Sequence, residues 1–127
     1  MNQPRLDLTD EQKAVAEFIR ERDWEQFHSP KNLSMSIAIE AAELMEHFQW
    51  TNTPQESQKV LLDPKKHSEI KDELADIAIY LLDFCNLYQI DLKKAIQEKL
   101  AKNIQKYPVA LSKGKSHKYT AYQEGKG

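Results

Sequence analysis

The stretch Glu69 to Ile90, EIKDELADIAIYLLDFCNLYQI, decides the fold. At about 3.6 residues per turn, Glu69, Glu73, Asp76, Tyr80 and Asp83 fall in one line, and Ile70, Leu74, Ile77, Leu81, Phe84, Cys85 and Tyr88 make a broad apolar face. The third side, Ala75, Ile79 and Leu82, carries no charge either. A helix apolar around most of its circumference belongs inside a helical assembly, so some of its carboxylates are shielded from water. A shielded carboxylate needs an Arg or Lys, a shared proton or a metal ion.

A second acidic helix is expected over Asn32 to Trp50, NLSMSIAIEAAELMEHFQW. Leu33, Ile37, Ala41, Leu44 and Phe48 form its core stripe, and Ser36, Glu40, Glu43, His47 and Trp50 the next line. Laid antiparallel to the first helix, it brings Glu40, Glu43, Glu73 and Asp76 to one point. Four anions that close require a cation among them. Oxygen ligands without clustered Cys or His suit a hard ion, Mg²⁺ first and Mn²⁺ second.

The chain has 127 residues, which fits one domain with a sizeable core. Its 18 basic and 20 acidic residues nearly cancel, so the total charge predicts neither a nucleic-acid footprint nor a membrane surface. The single cysteine, Cys85, has no intrachain partner, and MNQPRLDLTDEQ lacks the apolar run of a signal peptide. The expectation is a cytoplasmic, reducing location. No segment approaches the roughly 20 apolar residues of a membrane span.

The spacing predicts an all-α, four-helix-bundle-like chain, with helices over about 9–25, 32–50, 64–88 and 91–106. Thr9 with Gln12 reads as a capping box opening the first helix, and Ser29 or Asn32 as the cap of the second. Thr53-Pro54 starts a short helical turn to Leu62, Asp63-Pro64 opens the long acidic helix, Asp91 caps the last one and Pro108 ends it. A helical domain over 1–111 followed by a mobile basic tail over 112–127 is expected, the tail carrying Lys113, Lys115, His117 and Lys118.

Trp24, Phe27, His28 and Trp50 are core or rim aromatics by default. Two features raise them to candidates for a nucleobase pocket: Trp50 extends the carboxylate line of its helix, and His28 precedes the cap of that helix. Tyr80, one turn beyond Asp76, lines the same pocket on this reading. Lys99, Asn103 and Tyr107, at i, i+4 and i+8, are either a polar stripe or the contacts of phosphate oxygens. His47 and His67 are expected at the surface.

These residues resemble a known family. Glu40-x-x-Glu43 followed by Glu73-x-x-Asp76 is similar to the signature of the MazG-like all-α nucleoside triphosphate pyrophosphatases. Arg22-Asp23-Trp24-Glu25-Gln26-Phe27-His28, Phe48-Gln49-Trp50, Ile79-Tyr80-Leu81, Asn103 to Tyr107-Pro108 and Lys118-Tyr119-Thr120 resemble its dCTP pyrophosphatase branch. The resemblance implies hydrolysis of (deoxy)nucleoside triphosphates to monophosphate and pyrophosphate with Mg²⁺. It also implies metal ligation by Glu40, Glu43, Glu73 and Asp76; of these, a carboxylate not fully engaged by metal, Glu40 or Glu43, is expected as the catalytic base that takes the proton of the attacking water. Base and sugar would rest on Trp24 to His28, Trp50 and Tyr80, the phosphates on Lys99, Asn103 and Tyr107, in a homo-oligomer, dimer or tetramer. Val15 stands where the animal enzymes carry a first-helix histidine, which bears on base choice.

Two other classes fit a helical chain with inward acids. A ferritin-like di-metal protein needs Glu-x-x-His pairs, and this chain has none. A non-catalytic helical interaction module would gain no stability from divalent metal and nucleotide together.

Overall fold

A computed structural model describes residues 5–115, and all regular structure among them is helical. The elements are α1 (Thr9–Glu21), a 3₁₀ turn (Glu25–Phe27), α2 (Pro30–Glu46), α3 (Pro54–Leu62), α4 (Pro64–Tyr88), α5 (Leu92–Lys106) and α6 (Val109–Ser112). They fall into two compact units, the first ending at Gln89 and the second beginning at Ile90. Lys118-Tyr119-Thr120 and His117 lie outside the described residues, as does most of the expected 112–127 tail.

Within the first unit α4 is the hub, packed against α1, α2 and α3. Asp63 caps it by accepting from the Lys66 N–H at 3.0 Å, and Pro64 at its first position has no N–H to leave unpaired. Gln89 ends it in the left-handed region at φ 55°, its N–H donating to the Cys85 carbonyl. The core of the unit is small: Ile19, Leu33, Ile70, Leu82 and Cys85. Leu74 and Ile79 of α4 remain half-exposed, so the all-round apolar character of this helix is only partly satisfied inside the unit.

The expected ends of the first two helices move. Thr9 is the first helical residue and not the cap; Asp7 Oδ1 accepts from both its N–H and its hydroxyl, at 3.0 and 2.6 Å. Gln12 turns away from the helix start and donates to Asn86 Oδ1 of α4 at 2.9 Å, a tertiary bond that replaces the capping box. The first helix stops at Glu21 rather than near Glu25, because Asp23 adopts a left-handed conformation at φ 54°. Asp23 N–H reaches the Arg20 carbonyl at 3.0 Å and Trp24 N–H the Ile19 carbonyl at 3.1 Å, the two bonds of a Schellman stop. Phe18 and Trp24 close it edge to face, centroids 5.6 Å apart.

The second helix starts two residues early. Ser29 is the cap, accepting from the Asn32 N–H at 3.1 Å, and the Asn32 side chain donates to the Phe27 carbonyl. It ends at Glu46, not Trp50, because the chain tightens into three-residue bonds from His47 to Leu44 and from Phe48 to Met45. The Thr51 hydroxyl then donates to the Phe48 carbonyl at 2.7 Å and holds that turn. Asp91 caps α5 through the Lys94 N–H as expected. Ile96, Leu100 and Ile104, which share one apolar edge of α5, are 51, 56 and 72% exposed.

Candidate metal and nucleotide site

Partners along α2 and α4 run in opposite order: His28 meets Asp83, Glu40 meets Glu73 and Asp76, and His47 meets Glu69. The two helices are therefore antiparallel, and their acidic lines face each other. Glu40, Glu73 and Asp76, all half-buried, each offer a carboxylate oxygen within 4.8 Å of the others, close enough to hold one ion. The Glu43 carboxyl stands against Glu40 and Glu73 and acts on the proton affinity of both.

The electrostatics follow from that crowding. Burial first, then the close approach of the Glu43 and Glu73 carboxyls and the charges of Glu43 and Asp76, push Glu40 from 4.5 up to about 7. Burial also raises Glu73; the Glu40 carboxyl beside it opposes the rise, while the Glu43 carboxyl and the charges of Glu43 and Asp76 add to it. Among the described residues, lysine, arginine and histidine ion pairs form with Glu17, Glu21, Asp83 and Glu69 and none with this cluster. Glu40 Oε2 and Glu73 Oε2 are buried without a hydrogen-bond partner. Orphaned acceptors of this kind are costly, and an all-oxygen donor set with two of them fits a hard divalent cation.

Seven residues beyond Asp76 on the same line of α4, Asp83 is 1% exposed and its Oδ2 lies 2.5 Å from His28 Nδ1. Burial raises Asp83, while the His28 hydrogen bond and charge oppose the rise. Tyr88 OH donates to the His28 carbonyl at 2.8 Å, and the Trp24 ring stands 6.5 Å from the imidazole, so this residue is fixed from several sides. Tyr80 is half-buried one turn from Asp76 and one from Asp83.

Of the aromatic candidates, Trp24 and His28 come together, whereas Phe27 and Trp50 are 59 and 85% exposed. Trp50 lies beyond the end of α2, so it does not extend that helix's carboxylate line. Lys99, Asn103 and Tyr107 belong to the second unit. Lys99 and Asn103 border a hollow of about 340 Å³ floored by Leu92, Ala95, Ile96 and Leu100, and Tyr107 is the C-cap of α5. His67 is exposed as expected, but His47 is not: its side chain is 12% exposed, 3.9 Å from Glu69 Oε2. Its place in the inward line with Glu43 was the available signal. The same holds for Asp83, whose position three residues past Tyr80 marks it as facing α2.

Known proteins similar to this chain point to one family. A sequence model of the MazG-like family matches residues 35–121. The chain is 39% identical to the dCTP pyrophosphatase 1 of Rattus norvegicus, over 96% of this chain and 71% of that protein. It is 38% identical to the Homo sapiens protein of the same name, over the same shares. A solved pyrophosphatase from Archaeoglobus fulgidus DSM 4304 is 39% identical with a TM-score of 0.75, covering 85% of this chain and 98% of that one. The all-α chain thus belongs to the MazG-like family.

Proposed function

We propose that this protein, a nucleoside triphosphate pyrophosphohydrolase, cleaves the α–β phosphoanhydride of dCTP or a related deoxynucleoside triphosphate, giving monophosphate and pyrophosphate with Mg²⁺, or Mn²⁺ in its place. The observation that carries the reading is the facing of Glu40 with Glu73 and Asp76 across antiparallel helices, with two buried carboxylate oxygens that take no hydrogen bond among the described residues. Relatives named for dCTP cleavage support the substrate class.

Glu40, Glu73 and Asp76 would hold the cation, with Glu43 beside them. A bound divalent ion supplies charge neutralisation for the triphosphate and for the pyrophosphate that leaves. Glu43 stands outside the tightest ligand set, so it is the carboxylate free to accept the proton of the attacking water, with Glu40 as the second candidate. His28, Trp24, Phe27, Tyr80 and Trp50 would receive base and sugar, and Lys99, Asn103 and Tyr107 the phosphates. Met35, Ile39 and Met45 of α2 and Leu74 of α4 are each more than half exposed, which supports a homo-oligomer that buries them.

A pyrophosphate-release assay over canonical and modified triphosphates, with and without Mg²⁺, tests the reading. Metal-dependent release of pyrophosphate is expected, with dCTP among the good substrates. Release of orthophosphate alone, or no release with either metal, would overturn it.

A further inference from the structure

The His28–Asp83 pair lies outside the cluster of Glu40, Glu73 and Asp76 that could hold a metal ion. Asp83 is almost wholly buried, and a buried carboxylate on an imidazole Nδ1 fixes both ring orientation and tautomer. In a neutral imidazole one nitrogen donates and the other accepts. With Nδ1–H donating to Asp83, Nε2 carries the lone pair. The His28 side chain keeps 16% of its surface open, and Nε2 is the ring nitrogen that Asp83 does not engage.

The placement of the pair gives that nitrogen something to meet. Asp83 follows Asp76 by seven residues on α4, about two turns or roughly 10 Å along one face. A nucleotide whose phosphates lie at Glu40, Glu73 and Asp76 spans that interval to its base. Trp24, beside the imidazole, offers a flat apolar surface at the same level.

Resting on the function proposed above, we propose that Asp83 is a positioning residue for base selection. It holds His28 with Nε2 as a hydrogen-bond acceptor, so a base bearing an exocyclic amino group is favoured over one with a carbonyl at that place. An unprotonated nitrogen facing a carbonyl oxygen would set two lone pairs against each other, whereas an amino group donates to it. Cytosine carries an amino group at C4 and an unprotonated N3, where uracil carries a carbonyl and an N3–H, so the C4 group is the one whose hydrogen-bonding sense this nitrogen reads.

The test compares kcat/KM for dCTP and dUTP. In Asp83→Asn the carboxamide can donate to Nδ1 and turn the ring to the other tautomer. The dCTP preference is expected to fall about tenfold, as loss of one such polar match implies, with the loss in KM rather than kcat. In a His28→Ala background, Asp83→Asn should change the ratio no further, which a purely structural role for Asp83 would not produce. Should the Asp83 variants fail to fold, ¹⁵N NMR of the wild-type imidazole decides: an unprotonated Nε2 is expected, and a protonated Nε2 overturns the proposal. An unchanged dCTP to dUTP ratio in folded Asp83→Asn overturns this inference alone. Absence of all triphosphate cleavage by the wild type would instead overturn the function beneath it.

Discussion

Replacing Glu40 by glutamine keeps the shape of the side chain and removes one charge from the most crowded point of the protein. Glu40 is pushed from 4.5 to about 7, mainly by burial and then by Glu43 and Glu73. Because the folded value is the higher, the fold favours the protonated form. That contribution is complete below pH 4.5 and is lost as pH climbs to about 7. At face value the rise sets a ceiling of about 3 kcal/mol, at about 1.4 kcal/mol for each tenfold change in proton affinity. Glu40 is only half-buried, and water screening reduces the effect to about 1 kcal/mol. For a chain of 127 residues that corresponds to about 3–5 °C in melting temperature. Without metal, Glu40→Gln should melt that much higher than the parent at pH 8 and together with it at pH 4.5. Adding Mg²⁺ should raise the parent's melting temperature at pH 8 and leave the variant nearly unmoved. Circular dichroism melts at both pH values, with and without Mg²⁺, give all four comparisons. Coincident metal-free melts at pH 8, followed by equal gains from Mg²⁺, would refute the account of the cluster as mutually repelling cation ligands.

Cation affinity should weaken as pH falls below about 7, approaching tenfold per pH unit for each proton displaced; calorimetric titrations in buffers of different ionisation enthalpy should count about one proton released near pH 6. Gln89→Gly should raise stability by about 0.5–1 kcal/mol, since a left-handed glutamine becomes a residue free to adopt that conformation, and urea unfolding midpoints would measure it. Trp50, 85% exposed, should be removable with little change in melting temperature, while Trp50→Ala raises the KM for dCTP about tenfold or more if the indole stacks on the base. Steady-state kinetics beside a thermal melt separate the two effects.

The helical class and the meeting of the acids could be read directly, because a 3.6-residue period places Glu40 opposite Glu73 and Asp76 once α2 and α4 are antiparallel. Caps using Asp63 and Asp91 were equally plain, as short polar side chains before helices announce themselves, and Ser29 was one of two residues offered for the second helix. The end of α1 was hidden. Its stop uses Asp23 where glycine is the usual sign, and only the backbone conformation reveals it. Gln12 was misread for a related reason: a side chain with a local partner in the sequence found a better one 74 residues away on Asn86. The turn past Glu46 depends on hydroxyl bonds from Thr51 that periodicity does not register, which is why Trp50 was assigned to a helical face it does not share. Exposed Ile96, Leu100 and Ile104 show the limit of amphipathic patterning, which says that a face wants covering but not whether its own unit covers it.

Because one uninterrupted helix carries Glu73 and Asp76 near its middle and Asp83 near its end, it behaves as a ruler with two marks. The facing strip, from His28 through Glu40, must be read against both marks at once. A slide of a single turn, about 5.4 Å, would unseat the acids and the imidazole together. An inserted residue between positions 76 and 83 would instead rotate one mark by about 100° and spare the other. Damage to this enzyme should therefore come in two kinds, shared or separable, according to whether the rail shifts or is itself relengthened.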